Sequence, residues 1–284
     1  MFALFNKLEK YDNRIKNITT NEEILDSLSD IGLNRSNNED SVITLIHPNN
    51  KNLKLLAVAD GVGGRESGEV ASSFTISVLE KWFYNLPEET INNTKKLSKY
   101  LTNIITCINN CLYVIKSYRT GCATTLTCAI INKKKTVVAN IGDSRAYIFH
   151  GDTLKQITKD DSVVWAYYEQ GELTKEQLRF HKQRSLITKC IGTDYGTKPN
   201  ITILENTDYT GILLFTDGVT DCLSDSKLER LVHTKKQDLA HSIIKEAVYG
   251  KQSKRVPKGE NFSTPKNGKD NATVALYFKE TQYS

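Results

Sequence analysis

Apolar and polar positions along the 284 residues follow two periods. Short apolar or alternating runs read as strands at Val42 to Ile46, Leu53 to Ala59, Thr124 to Ile131, Thr136 to Ile141, Arg145 to Phe149, Ile201 to Leu204, Gly211 to Phe215 and Ala272 to Phe278. A helical period replaces them in four places. Glu66 to Tyr84 sets Val70, Phe74, Val78 and Trp82 on one face, and Leu97 to Ile115 sets Leu97, Leu101, Ile104, Ile108, Cys111 and Ile115 on another. Ser224 to Val232 and Gln237 to Val248 complete the set, the last with Leu239, Ile243 and Ala247 aligned. Thr20-Asn21-Glu22-Glu23 has the spacing of a capping box and predicts a helix from about Asn21.

The connections sharpen this pattern. Pro48-Asn49-Asn50, Asn132-Lys133-Lys134 and Gly142-Asp143 are short turns that predict antiparallel pairing of consecutive strands, and His150-Gly151-Asp152 is a further turn. Asp160 to Lys189 is polar and partly helical, as expected of a surface flap at about 160–190. Residues 249–269 are basic and aperiodic, which predicts a mobile loop. Strands, two helices, strands, two helices and a strand point to helices packed outside antiparallel sheets, not to an alternating βαβ fold.

Composition narrows the classes. With 39% hydrophobic residues and no Pro/Ser/Gly-rich linker, residues 1–284 read as a single domain. The net charge of +5 is mild and its basic residues are scattered, so no nucleic-acid partner is expected. The six cysteines form no Cys-x-x-Cys pair or zinc spacing and read as reduced thiols. Met1 to Lys10 is too short for a signal peptide and no run has transmembrane length, so a cytoplasmic protein with no membrane partner, monomeric by default, is the expectation.

Candidate chemistry sits at the ends of the strand runs. Leu53 to Ala59 ends in Asp60-Gly61-Val62-Gly63-Gly64, where glycines let backbone groups approach closely. The pattern recurs at Leu213-Leu214-Phe215-Thr216-Asp217-Gly218 and at Asn140-Ile141-Gly142-Asp143-Ser144. Asp270-Asn271 opens a fourth run, and Arg35 with Asn38-Glu39-Asp40 precedes a fifth. Any one of these aspartates is equally a turn or cap residue. Five acidic strand ends together point to a carboxylate-lined metal site.

These motifs occur in the order found in the protein phosphatase 2C family of metal-dependent serine/threonine phosphatases, and the chain resembles its bacterial members from about Ser29 to Phe278. The resemblance rests on Arg35-x-x-Asn38-Glu39-Asp40, Asp60-Gly61-Val62-Gly63-Gly64, Gly121-Cys122-Ala123-Thr124-Thr125-Leu126, Gly142-Asp143-Ser144-Arg145, Thr216-Asp217-Gly218 and Asp270-Asn271. Glu169 to Thr174, Leu186-Ile187-Thr188 and Ile191-Gly192 add the family's flap. It implies an α+β fold, a four-layer α-β-β-α sandwich of two antiparallel sheets flanked by helix pairs. It also implies a strand at Ile24 to Ser29, against the capping-box helix.

The resemblance implies two divalent cations, Mn²⁺ or Mg²⁺, about 3.5–4 Å apart, which activate a water shared between them for in-line attack at phosphorus. Such hard cations take oxygen ligands. Asp60 would bridge them, with the Gly61 carbonyl, Asp217 and Asp270 as further ligands, and Glu39 and Asp40 would hold outer water. Asp143 with Asp217 matches a third, weaker site; its other reading is a turn residue beside Ser144. Arg35 would fork onto phosphate oxygens, unless it is only a surface ion pair. The substrates implied are phosphoserine and phosphothreonine proteins, in signalling opposite a serine/threonine kinase.

Two departures stand out. Val62 occupies the position where many eukaryotic members carry a histidine proposed as general acid. The basic stretch 249–269 is longer than the direct passage usual in bacterial members, and reads either as a recruiter of acidic or phosphorylated substrates or as a tolerated insertion. A catalytically silent relative acting as a phosphoprotein-binding module is the alternative, against which Asp60, Asp217 and Asp270 argue. A histidine-liganded dinuclear hydrolase finds no support in the five histidines, none of which pairs with an Asp at ligand spacing.

Overall fold

The computed structural model describes residues 18–20, 23–63, 67–116, 121–234, 238–251 and 256–279, the side chains of 18–20 excepted. In chain order the elements are β1 (Ile18–Thr20), β2 (Glu23–Asp30), β3 (Asp40–His47), β4 (Asn50–Val62), α1 (Ser67–Tyr84), α2 (Glu88–Ile91) and α3 (Thr94–Lys116). Then come β5 (Ala123–Thr124), β6 (Leu126–Ile131), β7 (Lys135–Ile141), β8 (Arg145–His150), β9 (Thr153–Gln156), α4 (Val163–Glu169) and α5 (Lys175–Leu178). The chain closes with β10 (Asn200–Glu205), β11 (Gly211–Phe215), α6 (Asp217–Thr220), α7 (Asp225–Thr234), α8 (Leu239–Tyr249) and β12 (Ala272–Lys279).

The strands form two antiparallel sheets. One has the order β1-β2-β12-β11-β8-β9; the other runs β10-β7-β6-β4-β3, with β5 paired to the end of β4. Side chains alternate across each strand because its period is two. On β4, Leu53, Leu55, Ala57 and Ala59 meet α1 and α3, while Leu56 and Val58 face the other sheet. On β11, Leu213 and Phe215 meet the C-terminal helices, while Ile212 and Leu214 point inward. The central part of β4 and the whole of β11 read as continuous apolar runs for this reason. The result is the four-layer α-β-β-α sandwich that the family resemblance implies.

Several expectations change. Ile24 lies in β2, so the strand reading holds there and the capping-box helix does not; Asn21 and Glu22 lie outside the described residues. Gly64, Glu66 and Gln237, also outside them, leave the first helix described from Ser67 and the last from Leu239. The Gly142-Asp143 turn does not close a hairpin: β7 belongs to one sheet and β8 to the other, so the chain crosses between layers there. β8 instead pairs with β9 across His150-Gly151-Asp152.

The deepest faces of the first helices also differ from the apolar stripes. In α1 the buried set includes Ala71, Ser72, Thr75, Ile76, Leu79 and Phe83, while in α3 the stripe residues Leu97, Leu101 and Ile108 are buried as expected, joined by Ile105, Asn109 and Leu112. Val70, Phe74, Val78, Trp82, Ile104 and Ile115 flank these faces, and Cys111 is exposed. Small and polar residues permit the close approach to β3 and β4 but carry little hydrophobic signal. Of residues 249–269, expected as a mobile loop, Tyr249 closes α8, 252–255 lie outside the described residues, and 256–269 are hydrogen-bonded to the flap.

Candidate active site

Antiparallel register brings the first two acids together: Asp40 on β3 lies opposite Asp60 on β4. The backbone at Asp60 is pinned by Thr125, whose Oγ1 accepts from the Asp60 N–H at 3.0 Å and whose N–H donates to the Asp60 carbonyl at 2.8 Å. Thr124 Oγ1 donates to the same carbonyl at 2.9 Å. The next residue must be small, because a Cβ on Gly61 would press against the Gly68 backbone and come within 2.7 Å of the Glu39 carbonyl. Ser72 of α1 donates to that Glu39 carbonyl at 2.6 Å, so the polar face of the helix holds the strand ends in place.

The other sheet supplies the remaining acids. Asp217 starts α6 directly after β11, and Asp270 precedes β12. Gly218 lets α6 rest on the backbone at Asn271 and Ala272, where any Cβ would overlap the Asn271 carbonyl. That contact draws Asp217 toward the Asp270 segment. Asn271 is buried and ties three pieces together: its Oδ1 accepts from the Glu39 N–H at 2.9 Å, and its Nδ2 donates to the carbonyls of Ile31 and Asn37. Asp40 Oδ2 accepts from Thr273 and Thr216 at 2.6 and 2.9 Å, while its Oδ1 is buried without a partner. Asp143 Oδ1, at the sheet crossing, is likewise buried and unpartnered.

Arg35 lies at the rim, with 44% of its side chain exposed. It donates to Asp270 at 2.8 Å and comes within 3.9 Å of Glu39. Val62 is paired with Ala123 and offers no titratable proton. Asp143 and Asp217 share a cleft with Arg145, Asp160, Arg184 and Asp221. Asp221, Asp160 and Arg184 escape the sequence reading. Asp221 follows Asp217 by four residues, a spacing that places both on one turn of helix; Arg184 has no comparable signal. Arg184 bonds Asp221 at 2.7 Å and brings the flap to the cleft.

The electrostatics of the cluster are unfavourable as it stands. Burial raises the carboxyl groups of Asp60 and Asp217 well above the usual range, and each is raised further by neighbouring aspartates. Burial pushes Asp40 and Asp143 up to about 7. Two such charges 4 Å apart repel by about 4 kcal/mol at an effective dielectric of ~20. Among the described residues no three His, Cys, Asp or Glu side chains converge as one coordination sphere. Asp270 is turned to Arg35 and Asp40 to two threonines. The donor chemistry nevertheless suits a hard divalent cation: oxygen ligands only, unpartnered carboxylate oxygens, and mutual repulsion a cation would relieve.

The profile of the family described as protein phosphatase 2C matches residues 34–246. The chain belongs to the protein phosphatase 2C family. The serine/threonine protein phosphatase PstP of Mycobacterium tuberculosis is 34% identical over 226 residues, covering 78% of this chain and 41% of that protein, so the chain spans less than half of that relative. The protein phosphatase PhpP of Streptococcus pneumoniae is 29% identical over 253 residues, covering 88% of this chain and 94% of that one. The crystal structure of serine/threonine phosphatase Stp1 from Staphylococcus aureus superposes with a TM-score of 0.79 at 30% identity, over 95% of this chain and 100% of that one. The catalytic domain of PstP, in complex with two manganese ions, superposes with a TM-score of 0.72 at 28% identity, over 92% and 99%.

Proposed function

We propose that the chain is a metal-dependent protein serine/threonine phosphatase, hydrolysing phosphoserine and phosphothreonine in protein substrates. The observation that carries this reading is the set of aspartates at one end of the sandwich: Asp40 and Asp143 buried, Asp60 and Asp217 with carboxyl groups raised by burial and by neighbouring aspartates, and Asp270 at the rim on the Arg35 guanidinium. Membership of the phosphatase family and the manganese complex of the PstP domain support it.

On this reading Asp60, the Gly61 carbonyl, Asp217 and Asp270 hold two divalent cations, Mn²⁺ or Mg²⁺. Asp143 and Asp217 hold a weaker third, and Glu39 and Asp40 hold outer water. The cations supply Lewis acidity and lower the pKa of an attacking water. The protein's own part is positional. Thr124 and Thr125 fix the Asp60 backbone, Thr216 and Thr273 fix Asp40, and Asn271 locks the Glu39 strand end to the Asp270 segment. Arg35, half-exposed, orients the phosphate by a bidentate contact in place of its present ion pair. Val62 has no proton to give to the leaving alkoxide.

One domain carries the activity, with the flap at about 160–190 and the insertion at 249–269 as its parts. No helix among the described residues is long and apolar enough to cross a membrane. The reading is completed by a cytoplasmic, monomeric enzyme that acts in signalling against the products of a serine/threonine kinase. The test is phosphate release from a phosphothreonine peptide with and without Mn²⁺, for wild type and Asp217→Asn. Release that needs metal and is lost in the variant is expected. No release from wild type at any metal concentration would contradict the reading and leave a silent binding module in its place.

A further inference from the structure

Residues 256–269 dock along the flap. Ser263 N–H donates to the Phe180 carbonyl at 2.7 Å, and Lys182 N–H donates to the Asn261 carbonyl at 2.8 Å. His181 and Phe262 form a bridge between these backbones, and their rings meet edge to face at 5.9 Å. The far end of the segment reaches the opposite flank of the acidic site, where Leu33 N–H donates to the Gly268 carbonyl at 2.7 Å in the loop that carries Arg35. The segment therefore runs from flap to phosphate-side loop across the rim of the candidate active site.

This rim is basic. Residues 179–189 carry four Lys or Arg and no acid, and 256–269 carry three Lys against one acid, Glu260. Two of these cations are engaged by the flap itself: Arg184 pairs with Asp221, and Arg179 donates to the Cys222 carbonyl. Lys182, Lys258, Lys266 and Lys269 are exposed, and among the described residues none of them has an acidic partner. A local excess of one sign at a cleft raises the local concentration and capture rate of oppositely charged ligands by about 10-fold to 10³-fold. A protein substrate that places its phosphoresidue at the aspartate cluster lays its flanking residues over this rim. The ring of Phe262 is taken up by His181 and is not free to stack on a base, which favours a peptide over a nucleic acid.

We propose that residues 179–189 of the flap and residues 256–269 together form a docking surface for acidic residues flanking the phosphorylated residue of a protein substrate. This deepens the phosphatase reading and rests on it for the substrate's phosphate. The test compares a phosphothreonine peptide flanked by glutamates with the same peptide flanked by glutamines, and with p-nitrophenyl phosphate. The proteins are wild type and the triple variant Lys182→Glu/Lys258→Glu/Lys266→Glu, all exposed positions outside the aspartate cluster. Wild type should show kcat/KM about tenfold higher for the glutamate peptide, falling as salt rises. The triple variant should lose that preference while its turnover of p-nitrophenyl phosphate stays at the wild-type rate. Equal turnover of both peptides by wild type, or a preference that survives the triple variant, overturns the proposal. Fluorescence anisotropy of the labelled peptides in chelator reads docking apart from turnover. Tighter binding of the glutamate peptide that the triple variant abolishes supports the docking surface even if no substrate is hydrolysed, which would sink the phosphatase reading alone. Binding of a single-stranded oligonucleotide with none of the glutamate peptide overturns it in favour of a nucleic-acid surface.

Discussion

Buried charge is handled in opposite ways within this sandwich. Where β8 enters its sheet, Arg145 and Asp160 form a two-nitrogen ion pair, with Nη2 to Oδ2 at 2.7 Å, and Gln156 donates to the other oxygen at 3.0 Å. Lys54, almost wholly buried, pairs with Glu23 at 2.9 Å and sits over the Tyr277 ring. At the strand ends, Asp40, Asp60 and Asp217 lie together with no ion pair of their own among the described residues, and two buried carboxylate oxygens, on Asp40 and Asp143, have no partner. The paired charges are satisfied within the protein. The aspartate cluster keeps unpartnered carboxylate oxygens and mutually repelling charges, and on the proposed reading a bound cation would relieve both.

The comparison can be broken most sharply by single substitutions. Asp60→Asn should lower Mn²⁺-dependent phosphate release on the order of 10³-fold, about 4 kcal/mol in the barrier, without unfolding the chain. In the metal-free protein the same change should raise the melting temperature, because it removes a charge that repels its neighbours. Arg145→Ala should act in the opposite sense. It strands Asp160 as a buried, unpaired charge and should cost about 3–5 kcal/mol of stability in urea unfolding. A metal-free Asp60→Asn that melts below wild type would break the contrast.

The pH dependence should differ next. The carboxyl groups of Asp40 and Asp143 rise to about 7 in the folded chain, against about 4 in the unfolded one, and those of Asp60 and Asp217 also rise. The folded state then binds more protons than the unfolded state between about pH 4 and 7. The cluster's effect on the stability of the metal-free protein should therefore worsen as pH rises through that window. Mn²⁺ at about 100 times its Kd should restore about 2.7 kcal/mol at pH 7.5. A melting temperature that climbs from pH 5 to 7.5 without metal would contradict this. The smallest effect is expected at Arg35. Its pair with Asp270 is too exposed to contribute more than about 1 kcal/mol, so Arg35→Lys should leave stability nearly unchanged while raising KM for a phosphopeptide.

The candidate site was legible where acidic residues coincide with strand ends. Asp60, Asp143, Asp217 and Asp270 each close or open an apolar run, and the register of β3 on β4 turns Asp40 into the neighbour of Asp60. What stayed hidden depends on contacts between distant segments. A turn as short as Gly142-Asp143 looks the same whether the chain folds back on its own sheet or crosses to the next. The buried faces of α1 and α3 include Ser72, Thr75 and Asn109, which carry no apolar signal. Asn109 holds Gly192 at 2.9 Å, a pairing across 83 residues that periodicity does not reveal. Arg184 reads as one basic flap residue among several until the flap lies over Asp221. At Ile24 the capping-box spacing alone points to a helix and the family resemblance to a strand; the strand is what forms, since pairing with β12 outweighs a local capping pattern.

The most direct test of the account is a calorimetric titration of Mn²⁺ into the metal-free protein, beside Asp60→Asn and Arg145→Met. The account predicts at least two bound ions in wild type, loss of binding in Asp60→Asn, and undiminished stoichiometry in Arg145→Met wherever that variant is folded. Wild-type protein that takes up no divalent cation, or Asp60→Asn that binds as wild type does, would contradict the claim that the aspartate cluster is a site for cations.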